Sequence, residues 1–234
     1  MEPDGGRMIR SSSGIAIPTT LAEWCDPARM ALVIYDMQVG ICRQVANAEA
    51  VIEHTAAALD AARSVGMRVA FTRHLSLPRA WMGLTQLRMA MAWQGETNPD
   101  KVQPWFLPDA ATTAIIPRLA PRPEDAVFDK VTMSAFDSTS LGFALKDCGI
   151  QAIALAGIAL EIGIEPTLRQ AYDNGFVGVL IEDACGFGNR EARDRSIATL
   201  AFIGDTIISD TANFCAALTQ RPGRGHGTGE VDTE

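Results

Sequence analysis

The stretch LAGIALEIGIEPTLRQAYDNGFVGVLIEDA (155–184) decides the fold. It opens as the end of an apolar strand that begins near 151 and runs to 157, then turns sharply. A helical pattern follows over 162–174, and a second apolar strand over 176–183. Strand, helix, strand is the unit of a parallel sheet, because the return path must cross one face. The start of a helix just after a strand is also a common seat for a nucleophile or a bound anion. Here the turn holds Ile162, Gly163 and Ile164, none of which can attack a substrate.

Working outward, the same alternation recurs. MALVIY (30–35) is a continuous apolar run, as expected of a strand buried on both faces. An Ala-rich helical pattern over 46–66 ends at Gly66, and MRVAFT (67–72) reads as the next strand. DAVFDK (125–130) and DTIIS (205–209) complete the strand set, with further helices expected over 139–147, 189–202 and 210–219. The rhythm predicts an α/β fold, a mainly parallel sheet with helices on both faces in a Rossmann-type three-layer arrangement. Residues 1–18, Gly/Ser-rich over 1–14, are expected to be a flexible lead-in, 19–220 a single domain, and 221–234 a polar tail that includes His226.

The interval 75–124 breaks the rhythm. It holds seven of the twelve prolines and three of the four tryptophans, Trp81, Trp93 and Trp105. An insertion of that length is expected to be a lid, a binding loop or a surface excursion packing its own aromatics. Within it LTQLRMAMAW (84–93) reads as a helix whose Met89, Met91 and Trp93 suit a core, a subunit interface or a substrate wall.

Composition excludes several functions. Twenty Lys+Arg against 28 Asp+Glu give a net charge of −8, and no basic block is present, so nucleic acid is not an expected partner. The five cysteines are scattered without CxxC or Cys/His spacing, which predicts reduced thiols in a cytoplasmic protein. His54, His74 and His226 share no metal-ligand spacing, and neither a metal nor a cofactor is expected. The segment MEPDGGRMIRSSSG lacks the apolar core of a secretory leader, and no apolar run reaches the length of a membrane span.

In parallel sheets ligands bind outside the carboxyl ends of the strands. The polar residues there are Asp36 and Gln38, Arg73 and His74, Asp129 and Lys130, and Glu182 and Asp183, together with the 157–163 turn. Asp36 ends an apolar run, and an enclosed carboxylate needs a partner, for which Lys130 is the candidate. Such a pair is either an acid/base site or a structural ion pair. His74 is either a substrate contact or a structural histidine, and Asp183 suits a capping role.

Three blocks together resemble the isochorismatase-like hydrolases, also called cysteine hydrolases. They are ALVIYDMQVGI (31–41), FDKVTMSAFDSTSL (128–141) and the opening stretch 155–184, in the family's order. The resemblance spans roughly 30–216 and implies a six-stranded parallel sheet, a homo-oligomer (dimer or tetramer) and a small-molecule substrate. It also implies an Asp–Lys–Cys triad. Asp36 and Lys130 match the first two members, and the Cys position falls on Gly163.

One branch of the family, the isochorismatases, lacks the Cys and cleaves a vinyl ether by protonating it from the Asp. The resemblance therefore implies Asp36, Lys130 and Gly163 as the catalytic set, with Gly163 leaving room for substrate and its amide facing an anion. Gln38, His74, Arg88, Trp93, Phe136, Ala159 and Leu160 are the expected substrate contacts. Three functions follow: acid-catalysed hydrolysis of an enol ether or other acid-labile bond, hydrolysis of an amide or imide by water that Asp36 activates, or binding without turnover. Arginines around the pocket would indicate an acidic substrate, and a Met/Trp wall an apolar one.

Overall fold

The computed structural model describes residues 8–220. The expected tail over 221–234 and His226 lie outside the described residues. Within the expected flexible lead-in, β1 (Ile9–Arg10) and β2 (Ala16–Ile17) pair antiparallel, followed by a single turn, α1 (Leu21–Trp24), capped by Thr20.

Six strands form the main sheet: β3 (Met30–Tyr35), β4 (Arg68–His74), β5 (Ala126–Lys130), β6 (Ala152–Ile158), β7 (Val177–Gly186) and β8 (Thr206–Ser209). Their order is β5-β4-β3-β6-β7-β8, and every neighbouring pair is parallel. Chain progress runs outward from β3 to one edge and from β6 to the other. The β3/β6 junction is therefore the switch point at whose carboxyl end a crevice opens.

The period of two along β3 sorts its side chains between two cores. Met30, Leu32 and Ile34 face α3 (Ala48–Ser64) and α8 (Thr211–Thr219), in one cluster with Leu59, Phe71 and Phe214. Ala31, Val33 and Tyr35 face the other way, toward α5 (Leu141–Asp147), α6 (Glu165–Asp173) and α7 (Arg190–Ile203), in a cluster with Leu141, Leu168 and Leu200. All six residues of β3 are buried, as its unbroken apolar run requires. Gly157 fits where no other residue does, since it has φ +134° and a Cβ there would overlap the Tyr35 carbonyl.

The interval 75–124 carries α4 (Leu84–Gln94) and three short 3₁₀ turns, and it is fastened at both ends. Leu75 N donates to Lys130 O (2.8 Å) and Ser76 N to Phe106 O (2.9 Å). On the far side Val39 N donates to Ala114 O and Gly40 N to Thr112 O, both at 2.9 Å, from the single-turn α2 (Val39–Cys42). Among the described residues no helix is long and apolar enough to cross a membrane, and no group of three or more His, Cys, Asp or Glu side chains is placed to hold a metal.

Candidate active site

Asp36 follows β3 directly with φ 47°, a left-handed conformation that costs a non-glycine residue about 1–2 kcal/mol. The residue is 3% exposed, and its carboxylate is anchored on both oxygens. Thr72 Oγ1, from β4, donates to Oδ1 at 2.6 Å, and Lys130 Nζ, from the end of β5, donates to Oδ2 at 2.6 Å. Lys130 is equally buried and also donates to Thr132 O (3.1 Å). Two charges taken out of water cost several kcal/mol each unless matched, and here each is the other's match. Burial lowers the Lys130 pKa, while the charge of Asp36 and its hydrogen bond oppose that shift.

Tyr35 completes the cluster. Its ring lies under the Lys130 ammonium, with 4.3 Å from Nζ to the ring centroid, and its hydroxyl donates to the Met133 carbonyl. Burial, reinforced by the charge of Asp36, raises the phenol well above its ordinary pKa of 10. Tyr35 is therefore neutral at physiological pH. The side-chain alternation that turns Tyr35 toward α6 brings it against Gly163. A Cβ on Gly163 would overlap the Tyr35 hydroxyl, and also the ring atoms Cζ and Cε1. The space that a nucleophilic side chain would need is filled by the phenol, which corrects the expectation that Gly163 leaves room for substrate.

The turn after β6 is built differently from the anion seat expected of it. The chain leaves the strand through a cis peptide at Ile158–Ala159 and forms one π-helical turn, Leu160–Ile164, before α6. The amides of Gly163 and Ile164 both donate to Ala159 O, at 3.0 and 3.2 Å, so the Gly163 amide is used internally and faces no anion. Thr167 Oγ1 donates to Gly163 O (2.6 Å) and accepts from Ala135 N (3.0 Å), locking this turn to the 134–136 segment. Glu161 Oε1 accepts from Gly188 N (2.7 Å) and Asn189 N (2.8 Å), which makes it the anchor of the loop before α7.

Above Tyr35, Asp36 and Lys130 lies a cavity of about 270 Å³, just below the usual range for ligand sites. Its wall is apolar and aromatic, formed by Ile41, Trp93, Trp105, Phe106, Ile158 and Ile162. Trp93 and Trp105 are 48% and 37% exposed, so they form its rim. His74 lines it too, edge-on to Phe106 with centroids 5.9 Å apart. Burial lowers the His74 pKa, helped by the charge of Lys130 and opposed by that of Asp36. The insertion thus contributes directly to the cavity through Trp93, Trp105 and Phe106.

Of the expected set, the structure brings Asp36, Lys130, His74, Trp93 and Ala159 to this cavity. The others are placed elsewhere. Gln38 is fully buried and clamps the strand ends together, donating to His74 O and Thr113 O at 3.1 Å and accepting from His74 N at 2.7 Å. Arg88 is exposed on α4, on the side away from Gln86, Met89, Ala90 and Trp93, which line a small adjoining pocket. Phe136 stacks on Phe176 within the second core, with centroids 5.8 Å apart, and Leu160 is fully buried there.

Among the described residues no arginine lines the cavity. Arg73 is held by both oxygens of Asp129 at 2.7 Å, and Arg79 donates to Pro99 O at 2.7 Å. No cysteine lines it either. Burial raises the thiols of Cys25, Cys42 and Cys185, the second to about 11, so they are inert. Cys185 and Asp183 lie within β7, where Asp183 Oδ1 accepts from Thr211 N and Oγ1, both at 2.8 Å, and so caps α8.

Solved structures share this architecture. An isochorismatase family protein from Burkholderia thailandensis is 29% identical, with 83% of this chain and 97% of that one covered and a TM-score of 0.67. A cysteine hydrolase from Pseudomonas syringae pv. phaseolicola has a TM-score of 0.72 at 20% identity, covering 83% of this chain and 94% of that one. N-carbamoylsarcosine amidase from Thermoplasma acidophilum has a TM-score of 0.62 at 17% identity, covering 78% and 96%. At those identities the last two show the fold alone. The Isochorismatase domain model matches residues 30–212, which hold all six strands of the main sheet and the whole cluster around Asp36, and the chain belongs to the isochorismatase family of hydrolases.

Proposed function

We propose that this protein hydrolyses a small, uncharged, largely apolar molecule by direct attack of water, with no covalent enzyme intermediate. One observation carries the reading: Tyr35 fills the space that a nucleophilic side chain at 163 would need. Asp36 is the base. Both of its oxygens accept hydrogen bonds, from Thr72 and Lys130, so it is set to receive a proton rather than to give one. That favours water activation over protonation of an enol ether. Lys130 holds the carboxylate in place and balances its charge. The aromatic wall and the absence of arginine among the described lining residues favour an apolar substrate over a dicarboxylate.

The test is product release from a panel of neutral aryl and alkyl amides and esters. Asp36→Asn is expected to lower kcat by roughly 10²–10⁴-fold, the range for loss of a general base. Undiminished turnover in Asp36→Asn would sink the reading. Isochorismate and chorismate serve as charged controls, and no pyruvate is expected from either. Pyruvate release that depends on Asp36 would replace water activation with acid catalysis.

A further inference from the structure

Tyr35 does more than occupy space. The ring alone already excludes a side chain at position 163, because Cζ and Cε1 overlap a Cβ there as the hydroxyl does. Phenylalanine would close the gap equally well and would bring no polar atom into a 3% exposed position. A buried hydroxyl must be satisfied, and this one depends on the Met133 carbonyl, another residue lining the cavity. The phenol also lies beside the Asp36–Lys130 pair, under the Lys130 ammonium.

We propose that the Tyr35 hydroxyl is a catalytic residue, donating a hydrogen bond to the oxygen of a neutral acyl substrate as negative charge develops there. The inference rests on water activation by Asp36 and assigns the group that meets the resulting charge. Tyr35 is a donor and not a nucleophile, because burial and the neighbouring Asp36 keep the phenol protonated. Rotation about its C–O bond is enough to move the proton from Met133 O toward a substrate oxygen.

The step balances within the site. Asp36 takes one proton from water, the water oxygen bonds to the acyl carbon, and the carbonyl π pair moves to oxygen. That oxygen is held by the Tyr35 hydroxyl, with the Lys130 ammonium close by. The tetrahedral species then expels the amine or alcohol, which takes the proton back from Asp36, and an acid is released. The chemical class this site fits is an uncharged amide or ester whose aromatic or branched apolar group lies against Trp93, Trp105 and Phe106.

The experiment compares wild type, Tyr35→Phe and Asp36→Asn on the neutral amide and ester panel, with thermal unfolding to confirm that each is folded. Loss of one preorganised donor to a developing oxyanion lowers kcat by about 10²–10³-fold, and Tyr35→Phe is expected to show it. If Tyr35→Phe keeps the wild-type kcat while Asp36→Asn loses it, the role of Tyr35 is overturned and water activation stands. A wild type that turns over no member of the panel counts against hydrolysis of that class. Binding then decides Tyr35 alone, using benzamide as probe and the fluorescence of the rim tryptophans as readout. Affinity about five- to tenfold weaker in Tyr35→Phe, the worth of one hydrogen bond, supports the donor role, and unchanged affinity overturns it.

Discussion

The complementarity of Tyr35 and Gly163 can be tested without a substrate, through Gly163→Ala, Tyr35→Val and the double variant. In Gly163→Ala the added Cβ meets the hydroxyl and two ring atoms of a side chain that cannot yield. Tyr35 is 3% exposed, hydrogen-bonded to Met133 and covered by Lys130. Overpacking of this kind costs about 1–3 kcal/mol. Losing the Tyr35 hydrogen bond adds about 1 kcal/mol. Replacing a glycine in a helical turn by alanine returns up to about 1 kcal/mol. The net is a destabilisation of roughly 1–4 kcal/mol, a fall in Tm of several degrees for a chain of this length.

Tyr35→Val removes a buried ring and costs about 2–4 kcal/mol. In the double variant the Cβ enters the space the ring has left, so its clash disappears and the alanine gain remains. The coupling energy is therefore favourable by about 2–4 kcal/mol. Urea unfolding followed by far-UV circular dichroism, at unchanged m-value, measures it. Additive effects, with coupling within about 0.5 kcal/mol of zero, would refute the claim that Tyr35 holds the nucleophile's space.

Three further outcomes are expected. Lys130→Met leaves Asp36 buried without its counter-charge and should cost about 3–5 kcal/mol, most of it recovered in Lys130→Met/Asp36→Leu; a single variant as stable as wild type by thermal unfolding would contradict the ion pair's role. Because His74 is held below its ordinary pKa of 6.5, the unfolded chain binds its proton more readily. That contribution to stability is present above about pH 6.5 and is lost as pH falls from there toward the lower folded value, so His74→Gln should flatten this part of the stability profile. Finally, iodoacetamide should label exposed Cys148 yet leave hydrolysis intact, since no cysteine lines the cavity, and loss of turnover on labelling would count against a thiol-free site.

The strands were legible because a parallel sheet buried on both faces leaves unbroken apolar runs, and MALVIY corresponds residue for residue to β3. The convergence of Asp36 and Lys130, 94 positions apart, was legible through the family's blocks and through the cost of an unpaired buried carboxylate. Tyr35 was missed because a tyrosine at the end of such a run reads as core. Only its phase along β3, set against a glycine where the nucleophile would be, marks it as the filler of that space. Arg88 was misplaced because its helical phase opposes that of Gln86, Ala90 and Trp93, which line the adjoining pocket. Gln38 sits past a strand end as a ligand-binding residue would, but the insertion returning over α2 encloses it. That return depends on contacts distant in sequence, which no local pattern in 31–41 carries.

The source of the oxygen in the product tests the central claim most directly. A single turnover in H₂¹⁸O, with enzyme in excess over the neutral amide or ester it hydrolyses fastest and with acid-quenched samples weighed throughout the turnover, separates direct water attack from an enzyme-bound intermediate. Direct attack places ¹⁸O in the released acid and leaves the protein mass unchanged. An unlabelled acid with ¹⁸O in the Asp36 carboxylate, or an acyl group trapped on any residue of the chain, would contradict hydrolysis without a nucleophile.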